Sequence, residues 1–368
     1  MYTEEHLYSI ALRRCALIGD INFRRLVEAE GSAAAVWHAN HKLLKTFGIG
    51  HKTIADIGKT EHLNFAENEL QFCSKNSIRI YLNHLQELPY LLPHCDDAPA
   101  ILYAKWTLPA VGTPVSLVGT RNMTGYGKSF IEDFLGELKT NDIITVSGLA
   151  MGVDAYVHEI SLEKQIPTIA VLAHGLHTIY PSQHRKLAEK IVAEGGALVT
   201  EFNSSQKPDR EHFIQRNRII AGISSATIVV ETAFGGGSVS TAGFANQYNR
   251  DVFALPGRIS DKYSQGCNHL IYNNKASAIS TVKDLLSDLK LNKGDSRLEE
   301  LFPHSVVKPL LRDEEQQVFE AVQSNPKITL DDLSEKLNIP AYKLLPILLQ
   351  LELNNYVSSF SGRQYAAL

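Results

Sequence analysis

The chain has 368 residues, of which 44% are hydrophobic and 21% are charged, as is typical of a globular protein with two or three domains. No apolar run reaches the roughly 18 to 20 residues that a membrane helix needs, and the first residues lack the basic-then-apolar order of a signal peptide, so we expect a cytoplasmic protein without a membrane partner. The net charge of −4 excludes a globally basic protein, so any surface for nucleic acid must be local.

Residues 1–75 show apolar residues at helical spacing without strand-like alternation, which predicts a small helical domain of the SAM or helix-hairpin-helix type. Within it, Gly48 and Gly50 precede a short helical stretch that ends near residue 57. In a helix-hairpin-helix motif such glycines let backbone amides approach a DNA phosphate, but a packing unit without a ligand explains the pattern equally well. Residues 76–113 are predicted to form a connector with extended pieces at 78–82 and 100–103.

The pattern changes from Val115 onward to short apolar runs that alternate with helical stretches. Because most of these runs lack polar alternation, they predict a parallel sheet covered on both faces, in a Rossmann-like α/β domain over residues 114–290. The candidate strands lie at residues 115–118, 143–146, 168–172, 197–200, 226–230 and 252–255. In such sheets ligands bind beyond the carboxyl ends of the strands, so the loops there should carry the function.

The last part of the chain is predicted to be a linker over residues 291–310 followed by a winged-helix-like domain over residues 311–368. In that domain Thr329 is a candidate helix cap, and residues 356–365 alternate as a hairpin does. The domain holds five basic and eight acidic residues, a balance that argues against strong DNA binding.

Four cysteines are scattered along the chain, with no CxxC pair and no Cys/His spacing typical of zinc: Cys15, Cys73, Cys95 and Cys267. We therefore expect free thiols in the core, no metal site and no cofactor.

Two loops that directly follow strands combine small residues with a helix start. The first holds Gly119, Thr120 and Arg121, where glycine permits close backbone approach and arginine supplies a forked cation for phosphate. The second holds Ser147 and Gly148 before Asp154, which we interpret as a carboxylate that orients Arg121 rather than as a catalytic group.

Three further segments complete the candidate site. Aromatic and cationic residues cluster around Tyr180, Arg185 and Lys186, a combination that suits single-stranded nucleic acid. Arg216, Asn217 and Arg218 are consecutive on a predicted helix; because each residue turns about 100°, the two arginines cannot face one direction, and one of them is expected to tether the helix to acids. A glycine loop with Gly236, Gly237 and Ser238 opens a helix and resembles a phosphate cradle, although no lysine follows as in a P-loop.

The order and spacing of these segments resemble the DNA-processing protein A (DprA/Smf) family. The matching motifs are VGTR at 118–121, SGLAMGVD at 147–154, GLHTIYP at 175–181, QRNRIIAG at 215–222, GGGSVSTA at 235–242, LPGR at 255–258 and GCNHLI at 266–271. Three positions depart from the usual family pattern: Thr120 and Gly236 each replace a serine, and Cys267 replaces a threonine.

The resemblance implies a protein without catalytic turnover that binds single-stranded DNA in natural transformation, protects it and loads a RecA-type recombinase. It further implies a homodimer and a Rossmann-like domain that holds the strand, with Arg121, Arg185 and Lys186 at the family's cationic positions. One alternative is a Rossmann-like nucleotide phosphoribohydrolase, although no acid follows Thr241 where those enzymes place their glutamate. A second is a regulatory protein that binds duplex DNA through the winged helix.

Overall fold

The computed structural model describes residues 2–40, 44, 48–109, 111–138, 142–291, 313–325, 327–353, 356–360 and 364–367. Apart from residue 291, the predicted linker at 291–310 lies outside these residues. The chain forms two units, Met1–Leu291 and Asn292–Leu368. In the part of the chain that the structure describes, no helix combines the length and the apolar character needed to cross a membrane.

The first unit begins with short helices that pack around one apolar core. They are α1 (Glu4–Arg14), α2 (Asp20–Glu30), α3 (Ala33–His38), α4 (His51–Ile54) and α5 (Thr60–Lys75). Local signals fix their ends: α2 stops at Gly31, whose φ of +87° favours glycine, and the Ser32 hydroxyl accepts a hydrogen bond from the Ala35 amide to cap α3. Leu12, Phe23 and Leu26 are fully buried in the core, which confirms the predicted helical region.

The two extended pieces predicted after these helices are strands β1 (Ile78–Leu82) and β2 (Ile101–Lys105). They pair antiparallel with each other, and β2 also pairs antiparallel with a strand of the central sheet, β6 (Ala197–Thr200). Ile78, Ile80 and Leu82 point into the core of the helices. This segment therefore joins the helices to the sheet through both hydrogen bonds and packing.

The central sheet has nine strands among the described residues, in the order β1-β2-β6-β5-β4-β3-β7-β8-β9. From β3 onward the strands are parallel neighbours, which confirms the predicted Rossmann-like α/β fold. The remaining strands are β3 (Thr113–Val118), β4 (Ile143–Ser147), β5 (Thr168–Val171), β7 (Ala226–Val229), β8 (Asp251–Ala254) and β9 (Ser277–Ala278). Most residues of these strands are buried, which explains why their sequences lack alternation.

Helices cover the sheet and connect its parallel strands. They are α6 (Gly125–Gly136), α7 (Val153–Glu163), α8 (Arg185–Ala193), α9 (Arg210–Ile223), α10 (Gly237–Gln247), α11 (Gln265–Tyr272) and α12 (Val282–Asp288). The strand order reverses between β3 and β7. From β3 the chain continues through β4 and β5 to β6 on one side of the sheet, and from β7 it continues through β8 to β9 on the other side. A crevice opens outside the carboxyl ends of the two strands at such a switch point, and ligands of open α/β sheets bind there.

The second unit contains α13 (Asp313–Gln323), β10 (Ile328–Thr329), α14 (Leu330–Leu337), α15 (Ala341–Leu353), β11 (Val357–Phe360) and β12 (Gln364–Ala367). Three helices followed by an antiparallel hairpin form the predicted winged-helix arrangement, and β10 adds a third strand beside β12. Thr329 caps α14 as predicted, because its hydroxyl accepts a hydrogen bond from the Asp332 amide.

Candidate functional site

A cleft of about 720 Å³ lies at the switch point, and all five predicted segments contribute to it. The turn after β3 supplies residues 118–122, and the loop after β7 supplies Gly235, Gly236, Gly237 and Ser238. The loop after β4 supplies Ala150, helix α7 supplies Asp154, and Tyr180 also lines the cleft. Helix α9 contributes residues from Arg210 to Ile220. The sequence segments that singly carry weak signals therefore meet at one place.

The turn that presents Arg121 is held tightly between β7 and α7. A Cβ added to Gly119 would lie 2.5 Å from Val153 Cγ2 and 2.9 Å from the Glu231 carbonyl oxygen, so only glycine fits. The Thr120 amide donates to the Glu231 carbonyl at 2.6 Å, and the Thr120 carbonyl accepts from the Val153 amide at 3.1 Å. Arg121 follows directly and is exposed at the cleft, where its charge is available to a ligand.

The carboxylate of Glu231, just after β7, is used to fix the start of α6. It accepts hydrogen bonds from the Thr124 amide at 2.8 Å and from the Thr124 hydroxyl at 2.5 Å. Thr124 in turn caps α6 through its hydroxyl, which accepts from the Tyr126 amide. Glu231 is 3% exposed, so this acid is a structural anchor and does not line the cleft.

Arg216 and Asp154 face one another across Gly148. A Cβ added to Gly148 would lie 2.5 Å from Arg216 Nη2 and 2.6 Å from Asp154 Oδ2, so the missing side chain leaves the space for both groups. Arg216 donates to the carbonyl oxygens of Gly148 and Val171, and Asp154 accepts from the Ala150 amide at 3.3 Å. The charge that faces Asp154 is therefore Arg216, not the predicted Arg121.

Burial controls the ionisation of this pair. It raises the pKa of Asp154 despite the opposing effect of the Arg216 charge, and it lowers the pKa of Arg216 to about 10. Arg216 therefore remains a cation at neutral pH. Because Arg216 is only 3% exposed, it contributes a fixed positive charge to the base of the cleft.

Helix α9 sends its three predicted site residues in different directions. Arg216 reaches the cleft, while Arg218 is buried against the carboxylates of Asp20 and Glu201, which confirms that one arginine tethers the helix to acids. Asn217 donates to the Ser240 hydroxyl at 2.9 Å and so ties α9 to α10 beside the glycine loop.

The start of α10 offers a cradle for an anion. Gly236 is the N-cap residue, the helix begins at Gly237, and both residues line the cleft together with Ser238. The first amides of a helix have no partner within the helix and can bind an anion. The Ser238 hydroxyl is buried and has no hydrogen-bond partner among the described residues. The positive end of the helix dipole and this free hydroxyl favour a negatively charged oxygen at that position.

An aromatic cluster lines the cleft opposite the glycine loop. The rings of Tyr180 and Phe213 meet edge to face with centroids 5.8 Å apart, and the Arg121 guanidinium carbon lies 5.5 Å from the Phe213 centroid. His174 holds the tyrosine, since its Nε2 accepts a hydrogen bond from the Tyr180 amide at 3.2 Å. Burial lowers the pKa of His174, which keeps that nitrogen available as an acceptor.

Four cleft residues on α9 were not among the predicted site residues: Arg210, Phe213, Ile214 and Ile220. The sequence holds one signal for them, because Phe213 precedes Arg216 by three positions and therefore shares its helix face. Arg210 is the first residue of the helix, where its side chain reaches the rim of the cleft.

Other predicted residues lie outside the cleft lining. Ser147 is fully buried and donates to the Leu117 carbonyl at 2.7 Å, which ties β4 to β3. Arg185 and Lys186 are exposed in the first turn of α8. The described structure thus brings together Gly119, Thr120, Arg121, Arg216, Asn217, Gly236, Gly237 and Ser238.

Comparison with known proteins identifies the family. A family model described as "DNA recombination-mediator protein A" matches residues 79–290, more than half of the chain. The chain belongs to the DNA recombination-mediator protein A family. A second model, described as "DprA winged helix domain", matches residues 303–363. This protein is accordingly a DNA-processing recombination mediator, and the resemblance noted in its sequence is confirmed.

Relatives and solved structures agree with the assignment to the recombination-mediator family. Protein Smf of Synechocystis is 35% identical over 303 residues, which cover 78% of this chain and 74% of that protein. The X-ray structure of DNA processing protein A from Streptococcus pneumoniae aligns with a TM-score of 0.64 at 26% identity, covering 78% of this chain and 98% of that chain. DNA processing protein A from Helicobacter pylori, whose structure concerns a "unique single-stranded DNA binding mode", aligns with a TM-score of 0.52 at 27% identity, covering 59% of this chain and 97% of that chain.

Proposed function

We propose that the switch-point cleft binds single-stranded DNA. The observation that carries this proposal is the convergence of arginine side chains, a free helix start and two aromatic rings in edge-to-face contact on one open cleft. Single-stranded nucleic acid is recognised by charge along its phosphates and by aromatic contact with its bases. The cleft offers both.

The phosphate contacts are assigned to two opposite walls. Arg121 and Arg210 are exposed at the rim, where guanidinium groups pair with phosphate oxygens. Across from them, the first amides of α10 and the free hydroxyl of Ser238 donate to one phosphate oxygen. The lining holds three arginines and two aspartates, and Asp154 is already opposed by Arg216. The local balance is therefore positive although the chain as a whole is acidic.

The aromatic wall favours single strands over duplex DNA. Tyr180 is 47% exposed and Ile214 is 53% exposed, so both present apolar surface to an incoming base together with Phe213. Bases that are paired and stacked in a duplex have no free face for such a contact, whereas unpaired bases do. Arg218 is not included among the DNA contacts because its guanidinium is committed to two carboxylates.

We retain Arg185 and Lys186 as predicted contacts for single-stranded DNA that continues beyond the cleft. Both are exposed at the start of α8, and the preceding Gln183 contacts Met151 next to the cleft loop. A strand that leaves past Tyr180 would meet this basic pair.

The wider role follows from the family and from what is known of one relative. The Helicobacter pylori protein is described by its single-stranded DNA binding mode, which supports the same ligand here. We extend this to a cytoplasmic homodimer that protects the incoming strand in natural transformation and loads a RecA-type recombinase onto it. The four cysteines are free and buried, as suits a reducing compartment.

We propose further that the protein is not a nucleotide hydrolase. Such an enzyme needs an acid free to act on a substrate, and the acids in this region are Asp154, Asp209 and Glu231. Asp154 is buried against a backbone amide and Arg216. Asp209 caps α9 by accepting a hydrogen bond from the Glu211 amide, and Glu231 holds Thr124, the cap of α6. Incubation with nucleoside monophosphates should release no free base; release abolished by D154N or E231Q would establish the enzyme instead.

The binding proposal is tested by competition between an unlabelled single strand, the matching duplex and a mononucleotide for a labelled oligonucleotide. The single strand should compete best, and Arg121→Ala should weaken its binding by about 1–3 kcal/mol, the range for a lost charge-assisted hydrogen bond. Arg79→Ala removes an exposed arginine on edge strand β1 and serves as the matched control.

Two outcomes would contradict the proposal. Equal weakening by Arg121→Ala and Arg79→Ala would mean that the loss reflects net charge and not the cleft. An affinity for the oligonucleotide that stays constant as salt increases would show that the cleft does not bind its phosphates, because neutralising phosphates releases counterions.

A further inference from the structure

Three side chains of different chemistry meet within the N-terminal helices, far along the chain from the cleft motifs. Cys15 directly follows α1, Asp56 follows α4, and His62 lies in the first turn of α5. One thiol sulfur, one carboxylate oxygen and one imidazole nitrogen of these residues all lie within 4.8 Å of each other. Their separation in sequence matches no zinc motif, which is why the sequence predicted no metal site.

The imidazole of His62 is buried beside the Asp56 carboxylate, and its Nδ1 has no hydrogen-bond partner among the described residues. His62 is 5% exposed, and neither of its ring nitrogens makes a hydrogen bond of acceptable geometry to any residue that the structure describes. Its Nε2 lies 3.2 Å from Asp56 Oδ2. A buried polar group left unsatisfied costs free energy, so a side chain in this position calls for a ligand.

The other two groups are held in place around that nitrogen. Asp56 Oδ2 accepts a hydrogen bond from the Ala16 amide at 2.7 Å, which fixes the carboxylate next to the end of α1. The Cys15 thiol can donate a hydrogen bond to the Ala11 carbonyl at 3.5 Å or to the Asp56 carbonyl at 3.7 Å, distances that are ordinary for sulfur, and this holds the sulfur beside Asp56. Lys59 contacts the other carboxylate oxygen, Oδ1, at 2.6 Å from a half-exposed side chain that can turn into solvent.

We propose that Cys15, Asp56 and His62 bind a zinc ion. Thiolate, imidazole and carboxylate are the three ligand types that zinc takes in proteins, and its usual bond lengths place tetrahedral ligand atoms roughly 3.4–3.6 Å apart. The three ligand atoms lie within 4.8 Å of one another, so the longest of their separations has to shorten on binding. A water molecule would complete the tetrahedron as the fourth ligand.

The ion would act as a structural clip. On binding, the Cys15 thiol gives its proton to solvent and the sulfur becomes a thiolate ligand, so one proton is released for each ion. The metal then ties the end of α1 to the start of α5 inside the helical domain. This role is independent of the proposed DNA cleft, and its test requires no DNA.

The test uses the full chain after chelator treatment, titrated with zinc and separately with cobalt. One equivalent of zinc should raise the melting temperature, and cobalt should give the charge-transfer band of a cobalt–thiolate bond. Cys15→Ser should abolish that band, and His62→Gln should lower the affinity for zinc at least tenfold. Cys73→Ser is the matched control, since Cys73 is also buried in this helical domain but lies outside the cluster.

The proposal is overturned if the wild-type chain shows neither the thermal shift nor the band. It is also overturned if Cys15→Ser and His62→Gln bind zinc as well as Cys73→Ser does. Should Cys15→Ser fail to fold, His62→Gln decides the question, because it leaves the packing around the thiol intact.

Discussion

Arg218 on α9 and Asp20 on α2 form an ion pair with an Nη2–Oδ2 distance of 3.2 Å, and the two side chains are 7% and 13% exposed. The same guanidinium contacts Glu201, just after β6. Because α9 also carries Phe213 and Arg216, the N-terminal helices hold one wall of the cleft in position. The helical domain thus contributes to the site without lining it.

Asp20→Asn should lower the free energy of unfolding by about 1–3 kcal/mol, because the largely buried Arg218 loses one of its two charged partners and Arg13 loses its ion pair with the same carboxylate. Glu194→Gln provides the control, since it breaks the exposed Lys190–Glu194 pair and should cost less than about 1 kcal/mol. Chemical denaturation of both variants measures the difference. If Asp20→Asn and Glu194→Gln had the same free energy of unfolding, the ion pair between α2 and α9 would not be what holds this wall of the cleft.

Gly148→Ala should destabilise the protein by about 1–3 kcal/mol, because the new methyl group would separate Arg216 from Asp154. Gly136→Ala adds the same methyl group at the end of α6, where nothing lies within 4 Å. That change should be neutral or stabilise the protein by up to about 1 kcal/mol, since alanine favours a helix over glycine. Melting temperatures that move in the same direction would contradict this account of the buried pair.

The sheet and its loops could be predicted because their signals are local. Strands buried on both faces give uninterrupted apolar runs, and the residues that follow them must lie at one edge of a parallel sheet. Gly119 and Arg121 therefore lie at the cleft as expected. The cap at Thr329 was predictable for the same reason, since its partner is three residues away.

Contacts between distant parts of the chain could not be predicted. The sequence indicated that Arg216 and Arg218 diverge, but not which of them meets acids, because the Asp20 carboxylate is 198 residues from Arg218. It also placed Asp154 beside Arg121, whereas the packing of α9 brings Arg216 there. Periodicity fixes the direction of a side chain on its own helix and leaves its partner undetermined.

A buried histidine should make the fold sensitive to acid. His158 is fully buried, and its Nδ1 lies 2.7 Å from the Thr168 hydroxyl. Burial, with smaller effects of the His184 and Arg216 charges, lowers the pKa of His158 to about 3. Below about pH 6.5 the unfolded chain binds a proton that the folded chain does not take up until about pH 3. The free energy of unfolding should therefore fall as the pH falls through this window.

His158→Asn should reduce that dependence, because the amide can keep the contact with Thr168 but does not titrate. The slope of the free energy of unfolding against pH should decrease by up to about 1.4 kcal/mol per pH unit, the value for one proton. Urea denaturation at several values between pH 6.5 and 4 gives the comparison, with the exposed His177→Asn as control. A His158→Asn profile parallel to that of the wild type would mean that His158 takes up its proton over the same pH range in the folded chain as in the unfolded chain.

The second unit should contribute little to DNA affinity. Its helix α15 exposes Tyr342, Leu345 and Leu349 at 70%, 43% and 57%. These residues follow one another by three and four positions, so they form one apolar face. A helix that contacts DNA phosphates needs cations on its exposed face, and among the described residues of α15 the one exposed cation is Lys343, in a unit with more acidic than basic residues.

Removal of residues 292–368 should therefore leave the affinity for a single strand within about threefold of the full chain, a change of less than about 0.7 kcal/mol. Fluorescence anisotropy at one salt concentration measures both forms, and each is also measured with Arg121→Ala. The arginine change should weaken both forms equally, because it acts in the first unit. A loss of more than tenfold on truncation, or an Arg121→Ala effect that disappears with it, would place the DNA contacts in the winged helix and reject the cleft as the main binding surface.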